Sequence, residues 1–462
     1  MITLVGAGFA GVEAAWTLAE RGHRVRLVEM RPVTNTPAHT TAWFAELVCS
    51  NSLKSALPTT PAGQLKVEMA ALGSVVLEVA QMHRVPGGEA LCVDRNAFGE
   101  AITSALENHP NIEVVREEFT PENLGAELSA GNPVILATGP LTSDPLSQWL
   151  AQVTGREHLH FYDAVSPTVD ASTLDRDIVF AQSRYDKGAG DDYLNCPFEK
   201  DSYFAFVDAL VGAERVPVRA FEAGGRRDAE GNGDEGAFLE KIQYFSGCTP
   251  VEAIAEKGRD SLRFGNFKPV GLTDPRSGRR PYAALQLRPE NVEKTLYSLV
   301  ACQNRLRFGE QKRVFQMVPG LEKAEFVRYG VIHRNTYLDS PRVLTPFLEM
   351  QEVPNLYIAG QLTGVEGYVE SAAMGIYAGL AVARRLEGLP DVLPPRETAY
   401  GGLVAHLMDA TPRDFAPMNV NWGLFPDPEG ISLKDKVLKR AKKLEAANER
   451  FASWQENLAA VS

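Results

Sequence analysis

The chain has 462 residues, of which 44% are hydrophobic and 23% charged, so we expect a globular protein with two or three domains. Its formal net charge of −12 gives no bulk attraction to nucleic acid, and any RNA partner therefore needs a local basic surface. The apolar runs are shorter than the roughly 18 residues of a membrane-spanning helix, and the first residues lack the basic start of a signal peptide. Five scattered cysteines without CxxC spacing predict a reducing, cytoplasmic location, without disulfides or a bound metal.

The first thirty residues predict a nucleotide-binding βαβ unit. An apolar strand, Ile2–Val5, runs into GAGFAG, a helix follows over residues 10–21, and a second strand ends at Glu29. The first glycine allows the tight turn, the second lets backbone N–H groups approach a pyrophosphate, and the third lets the helix pack against the strand. The carboxylate is placed to accept hydrogen bonds from a ribose. The predicted cofactor-binding residues of this unit are Gly6, Ala7, Gly8, Phe9, Ala10, Gly11 and Glu29.

A candidate reactive cysteine, Cys49, follows in ELVCSNSLKS. Backbone N–H groups in a turn of this kind favour a thiolate. On spacing alone, a half-buried cysteine that packs as a small hydrophobe is the better interpretation.

Alternating helices and strands continue to residue 140. Residues 63–79 predict a helix followed by a strand, and Asp94 is the expected N-cap of a helix that ends before Pro110. Strands are predicted over residues 111–115 and 134–137. The second of these ends in ATGP, where Gly139 is the expected second cofactor contact of a two-dinucleotide-fold flavoprotein.

The character of the chain changes from about residue 162, where strands become short and aromatic and Gly and Pro become frequent. Residues 223–236 form a polar stretch that predicts a loop. We interpret residues 176–303 as an inserted α+β domain, which divides a cofactor domain into residues 1–175 and 304–425.

A strand, a turn and a helix then complete the cofactor domain. The strand is predicted over residues 355–359, the turn at Gly360 and Gln361, and the helix over residues 370–386. Small residues on this helix would let it approach a neighbouring helix or a flat ring. The predicted fold is an α/β, Rossmann-like FAD domain of the glutathione-reductase-like, two-dinucleotide-binding kind, with the inserted α+β domain. A single GxGxxG favours FAD over a separate NAD domain.

Residues 426–462 predict a basic C-terminal helix, in which Lys439 and Arg440 are candidates for RNA contact. A solvated helix end explains the same charges equally well. Arg279 and Arg280 are the other tentative RNA-binding residues, together with the cluster of Arg305, Arg307, Lys312 and Arg313.

A set of motifs together resembles the folate- and FAD-dependent tRNA uracil-5-methyltransferases, a family related to the GidA flavoproteins. The resemblance extends from residue 1 to about residue 425. The motifs are GAGFAG, ELVCSNSLKS, CVDRNAF, RYDKG, YLNCP, GCTPVE, RFGNFKPVGL, YAALQLR, FVRYGVIHRNTY, GQLTGVEGYVESAA and PMNVNWGLFP.

The resemblance implies methylation of the T-loop uridine of tRNA to 5-methyluridine. The carbon comes from 5,10-methylenetetrahydrofolate, and the electrons come from FAD recharged by NADPH or NADH. The family's two catalytic cysteines fall on Cys49 and Cys248. By this resemblance, Cys248 matches the cysteine whose thiolate adds to carbon 6 of the uracil. Cys49 matches the cysteine that moves a proton or caps an intermediate. Cys92, Cys196 and Cys302 are expected to be structural. The implied partners are the tRNA T-arm and folate, and we expect a monomer.

Two alternatives stay open at this point. One is a GidA-type flavoprotein that modifies the wobble uridine of tRNA, although those proteins carry a longer C-terminal extension. The other is a flavin oxidoreductase that never contacts RNA. Two features depart from the family: the loop over residues 223–236 is longer than usual, and the segment after residue 425 is basic.

Overall fold

A computed structural model describes the chain except residues 37, 156–158, 165, 187–189, 217–248, 331, 410–414, 429–434 and 460–462. For residues 159–164, 186, 332–335 and 409 it describes the backbone only. Within the described residues, no helix is long and apolar enough to cross a membrane.

The described residues form sixteen strands and fourteen α-helices, which are interspersed along the chain. The strands are β1 Ile2–Val5, β2 Val25–Glu29, β3 Ser52–Ser55, β4 Arg84–Val85, β5 Ala90–Val93, β6 Ile112–Arg116, β7 Val134–Leu136, β8 Leu159–Ala164, β9 Thr168–Asp170, β10 Phe180–Ala181, β11 Leu194–Phe198, β12 Ala283–Pro289, β13 Leu296–Leu299, β14 Phe326–Arg328, β15 Ile332–Tyr337 and β16 Leu356–Ile358. The helices are α1 Phe9–Glu20, α2 Pro61–Ala71, α3 Val75–Met82, α4 Arg95–Glu107, α5 Pro121–Ser129, α6 Asp144–Thr154, α7 Lys200–Val211, α8 Val251–Ala255, α9 Ser261–Phe264, α10 Phe308–Phe315, α11 Ser340–Val343, α12 Tyr368–Leu386, α13 Ala399–Asp409 and α14 Lys436–Ala459.

A parallel five-stranded sheet in the order β16-β7-β1-β2-β6 organises the first domain. Every side chain of β1 is buried, as expected for a strand with helices on both faces of its sheet. Helices α1 and α12 pack together closely because small residues face each other there. A Cβ on Gly375 would lie 2.1 Å from the carbonyl oxygen of Ala10, and one on Gly379 would lie 3.1 Å from that of Ala14. The predicted small-residue stripe therefore serves the contact between two helices.

A second, antiparallel sheet in the order β10-β11-β12-β13-β9-β14 forms the inserted domain. Its own hydrophobic core includes Val169, Phe198, Phe206, Leu285 and Phe315. Strands β9 and β14 lie outside the predicted range 176–303, and they pair with each other. We therefore propose wider limits for the insertion, about residues 166–330.

One predicted element is wrong. The strand expected at the end of residues 63–79 is instead helix α3, and the Ser74 side chain caps this helix by accepting from the Leu77 N–H at 3.2 Å. The valines of VVLEVAQM favour a strand by propensity, but the cap and the apolar face decide the local structure. The other predicted helices and strands of the parallel sheet are confirmed within two residues.

Polar contacts join the two domains beside the parallel sheet. The Asn51 side-chain amide donates to the carbonyl oxygens of Val93 and Pro289, each at 3.0 Å. The Arg95 guanidinium binds Glu290 at 2.7 and 3.0 Å. Both Asn51 and Glu290 are buried. The segment that follows Cys49 is therefore fixed between the two domains.

Candidate functional site

A cavity of about 480 Å³ opens at the carboxyl ends of the parallel strands and extends to the inserted domain. This is the position at which parallel α/β sheets bind their ligands. Nine of the residues predicted to act in catalysis or cofactor binding line it. They are Gly6, Gly8, Phe9, Ala10, Glu29, Cys49, Gly139, Gly360 and Gln361.

The three glycines of the loop differ in conformation and in the space around them. Gly6 has φ +94°, a left-handed conformation that favours glycine. A Cβ on Gly11 would lie 1.8 Å from the Gly6 carbonyl oxygen, so this glycine lets α1 approach the strand and lies behind the cavity. A Cβ on Gly8 would meet nothing within 4 Å. Because Gly8 is also the N-cap of α1 and has no capping side chain, the start of the helix is open to an anion.

Glu29 ends β2 with a buried carboxylate. It accepts from the backbone N–H of Ala7 at 2.8 Å, and from the backbone N–H and Nε of Arg31 at 3.0 and 2.9 Å. Burial opposes ionisation, but Arg31 and these hydrogen bonds outweigh it and hold the pKa of the Glu29 carboxyl below its ordinary value. An ionised acceptor here suits ribose hydroxyls, and the open space at Gly8 suits a pyrophosphate. The residues present therefore fit FAD.

Cys49 lies in the same cavity and contacts the Tyr368 side chain. The Tyr368 phenol oxygen is 3.0 Å from Cys49 Sγ, and it also accepts from the Cys49 backbone N–H at 2.9 Å. The ring stacks on Phe9 of the glycine loop, with 4.7 Å between the centroids. Burial, followed by the nearby Cys49, raises the pKa of the Tyr368 phenol well above its ordinary value, so the phenol stays protonated. Its hydrogen is available to the sulfur.

A buried group of charges lies next to this pair, and sequence reasoning missed it. Burial raises the pKa of a carboxyl, but surrounding guanidinium groups lower the pKa of Glu290 to about 2. These groups belong to Arg95, Arg328 and Arg288. Burial and the proximity of Arg95 lower the pKa of Arg328 to about 10. Both Arg95 and Arg328 interact electrostatically with Cys49, and such cationic surroundings favour a thiolate.

Lys54 brings a further cation to the cavity wall at the start of α12. Its Nζ binds Glu370 at 2.6 Å and the Glu366 carbonyl oxygen at 3.3 Å, and its φ of +62° is left-handed. A Cβ on Gly367 would lie within 2.6 Å of both the Lys54 ammonium and the Glu370 carboxylate. Position 367 therefore has to be a glycine for the Lys54 side chain to reach Glu370 on α12.

The comparisons with known proteins agree with this geometry. A family model described as Glucose inhibited division protein A matches residues 1–390. A protein of Desulforudis audaxviator is 50% identical over 98% of both chains, and one of Geobacter sulfurreducens is 49% identical over 100% of this chain and 99% of its own. Both bear the name methylenetetrahydrofolate–tRNA-(uracil-5-)-methyltransferase TrmFO. This chain belongs to the TrmFO family. It is an FAD-dependent enzyme.

The fold of this TrmFO family member resembles a solved structure of Aquifex aeolicus GidA. The TM-score is 0.64 at 15% identity, and the alignment covers 100% of this chain and 74% of GidA. The predicted fold class, a Rossmann-like FAD domain of the α/β class, is confirmed.

The second predicted catalytic residue, Cys248, lies outside the described residues, as does the loop over residues 223–236. The described chain resumes at Thr249. The Val251 N–H donates to the Gln303 carbonyl oxygen at 2.7 Å, and Gln303 lines the cavity. The other three cysteines, Cys92, Cys196 and Cys302, are fully buried, and burial raises the pKa of each thiol.

The tentative RNA-binding residues form two pairs, one beside a turn of the inserted domain and one on α14. Arg279 and Arg280 are exposed beside a turn in which the Asp274 N–H donates to the Arg279 carbonyl oxygen. Lys439 on α14 binds Asp427 at 2.5 Å, and Arg440 lies over the Trp422 ring at 5.7 Å. Much of the charge on α14 therefore contacts the protein itself. Among the described residues, no group of His, Cys, Asp and Glu could hold a metal ion.

Proposed function

We propose that this TrmFO family member transfers the one-carbon unit of 5,10-methylenetetrahydrofolate to carbon 5 of the T-loop uridine of tRNA. Electrons from NADPH or NADH, delivered through FAD, reduce that unit to a methyl group. The relatives named above support the transfer to tRNA uracil. The observation that carries the proposal is the position of Cys49, a cysteine in cationic surroundings, in the same cavity as the dinucleotide fingerprint.

The proposed cofactor site uses the residues predicted from the sequence. The start of α1 at Gly8 receives the pyrophosphate, and the Glu29 carboxylate accepts from the ribose. Gly139, Gly360 and Gln361 line the remainder of the cavity. Bound FAD supplies the reducing electrons. Folate and the target base share the mouth of the same cavity in this proposal.

Cys248 is the proposed nucleophile. Carbon 5 of uracil is a poor nucleophile until a thiolate adds to carbon 6, which leaves an enolate that can attack the incoming carbon. A three-residue connection spans at most about 11 Å, and Val251 is hydrogen-bonded to a residue of the cavity wall. The proposal therefore requires the Cys248 thiolate to reach the target base from that side.

Cys49 is the proposed proton acceptor. The proton on carbon 5 must leave before the Cys248–carbon 6 bond breaks, and Cys49 Sγ can accept it. The Tyr368 phenol can donate to this sulfur when it is a thiolate, and Arg95 and Arg328 stabilise its negative charge. The two cysteines thus have different tasks: one forms a carbon–sulfur bond and the other holds a proton.

The target base must leave its stack in the T loop before the thiolate can reach it. Contacts to the RNA backbone are proposed for Arg279, Arg280, Lys439 and Arg440. A monomeric state and a cytoplasmic location, both expected from the sequence, are part of the same proposal.

The decisive experiment incubates the protein with unmodified tRNA, NADPH and methylenetetrahydrofolate labelled in its methylene carbon. We expect the label in 5-methyluridine of the T loop. Methyl transfer that required S-adenosylmethionine would contradict the proposal. Label at the wobble uridine would favour the GidA-type alternative, and absence of salt-sensitive tRNA binding would favour a plain flavin oxidoreductase.

A further inference from the structure

A row of five aromatic rings runs from the core of the inserted domain to its surface. Phe206 and Phe315 are fully buried, with 6.3 Å between their centroids. Phe326 follows at 6.5 Å from Phe315, and Tyr329 stacks on Phe326 at 5.5 Å with 12° between the planes. Phe308 stacks on Tyr329 at 5.1 Å and 24°. This last ring is 57% exposed.

A buried glutamine holds the outer rings in place. Gln311 Nε2 donates to the carbonyl oxygens of Leu306 and Gly330, each at 2.8 Å, and its Oε1 accepts from the Gly330 N–H at 2.7 Å. These bonds join the chain segments that carry Phe308 and Tyr329. The exposed ring is therefore pre-organised, which reduces the entropy cost of binding to it.

The segment that carries Phe326 and Tyr329 contacts the cavity wall. Arg328, the residue before Tyr329, donates to the Val48 carbonyl oxygen at 3.4 Å, and Val48 lines the cavity beside Cys49. Residues 305–328 contain six Lys and Arg against three Glu, in a chain whose formal net charge is −12. Arg307 and Arg313 pair at the surface with Glu214 and Glu310. Such exposed pairs are weak, so a phosphate can compete for their guanidinium groups, although the surface carries no net excess of positive charge.

We propose that Phe308 is a stacking platform for an unstacked nucleotide of the RNA substrate, close to the base that enters the cavity. The inference rests on the proposed function, which requires an opened T loop. A single exposed Phe is common on protein surfaces and indicates little. A ring stacked on a fixed aromatic row, with exposed guanidinium groups in its own segment, matches the way proteins bind single-stranded bases.

The test uses the full chain loaded with FAD and a T-arm RNA that carries 2-aminopurine in its loop. Equilibrium binding is measured for wild type, Phe308→Ala, Phe308→Leu and Phe308→Trp at several salt concentrations. Phe264→Ala is the matched control, because Phe264 is another exposed phenylalanine of the same domain, at 74% exposure. Equal FAD content in every variant shows that the fold is retained.

We expect Phe308→Ala and Phe308→Leu to weaken binding about tenfold, as loss of one stacked base does. Phe308→Trp and the control should bind like wild type, and the salt dependence should stay the same because no cation is removed. Stacking should quench the 2-aminopurine signal in wild type and less in Phe308→Ala.

Unchanged RNA affinity in Phe308→Ala would overturn the inference while leaving the proposed function intact. The same holds if that variant alters only self-association, since the ring would then serve a contact between copies. If wild type itself fails to bind the T-arm RNA, the proposed function fails first, and the two failures are thus distinguishable.

Discussion

The phenol oxygen of Tyr368 lies 3.0 Å from the sulfur of Cys49 and accepts a hydrogen bond from the backbone N–H of the same cysteine. Either the phenol or the thiol can donate in this contact, but a Cys49 thiolate has no hydrogen, so the phenol is then the donor. The pair joins a loop of the first domain to the start of α12, and Phe9 supports the ring from the other side.

Tyr368→Phe removes the only hydrogen that the phenol can donate to the sulfur. We expect alkylation of Cys49 by iodoacetamide to slow about tenfold at neutral pH, since a lost donor disfavours the thiolate. The measurement is the rate of Cys49 modification, followed by peptide mass spectrometry. Cys49→Ala identifies the peptide, and an unchanged rate in Tyr368→Phe would show that the phenol does not influence the sulfur.

Substitutions at Gly8 and Gly11 should separate cofactor binding from folding. Gly8→Val places its side chain in open space, so we expect normal folding and at least tenfold less bound FAD, measured from the flavin absorbance. Gly11→Ala drives a methyl group into the Gly6 carbonyl oxygen, so we expect a free energy of unfolding lower by about 3 kcal/mol. If Gly8→Val bound FAD normally, the phosphate position would be wrong.

The Glu290 carboxyl should make the contact between the domains sensitive to acid. Its pKa in the folded chain is about 2 against an ordinary value of 4.5, so its stabilising effect is fully present above pH 4.5 and is lost as the pH falls toward 2. The difference amounts to about 3 kcal/mol. Urea unfolding at pH 7 and pH 3 should show that Glu290→Gln loses less stability on acidification than wild type does.

Glu310→Gln is the control for this comparison. Glu310 forms a surface pair with Arg313 at 2.6 Å, and solvent screens such pairs. Its acid response should match that of wild type. Equal acid responses of wild type and Glu290→Gln would show that Glu290 does not stabilise the contact between the domains.

The division of roles between the cysteines can be tested by trapping. We expect a covalent complex between wild type and tRNA that contains 5-fluorouridine, because fluorine replaces the proton that must leave carbon 5 before the Cys248–carbon 6 bond can break. Cys248→Ala should keep its FAD but form no complex, whereas Cys196→Ala should form it normally, since Cys196 is fully buried. If Cys248→Ala still formed the complex on a denaturing gel, the nucleophile would be another residue.

The sequence predicts the local structure of the glycine loop well, because the motif that indicates it is contained in a short segment. Gly6, Gly8 and Glu29 lie within one βαβ unit, and their spacing alone constrains their geometry. The charges around Cys49 have no such signal. Arg95, Glu290 and Arg328 come from segments far apart in the chain, and each looks like an ordinary charged residue until the fold brings them together.

Local sequence patterns also give wrong predictions where tertiary packing determines the secondary structure or the domain limits. The valines of α3 predict a strand, yet the Ser74 cap and burial of one face produce a helix. The limits of the insertion depend on strands β9 and β14, which pair across more than 150 residues. A change in composition marks the middle of such a domain better than its edges.

The order of strands in the parallel sheet affects when the first domain can fold during synthesis. The glycine loop is synthesised before its packing partners, because β7 pairs with β16, more than 200 residues later, and α1 packs on α12, which follows β16. A nascent chain that has completed the fingerprint therefore exposes the apolar surface of α1 until the whole insertion, β16 and α12 have been synthesised. Such long-range pairing predicts slow folding, and FAD capture should follow synthesis of α12 rather than of the loop that binds its phosphates.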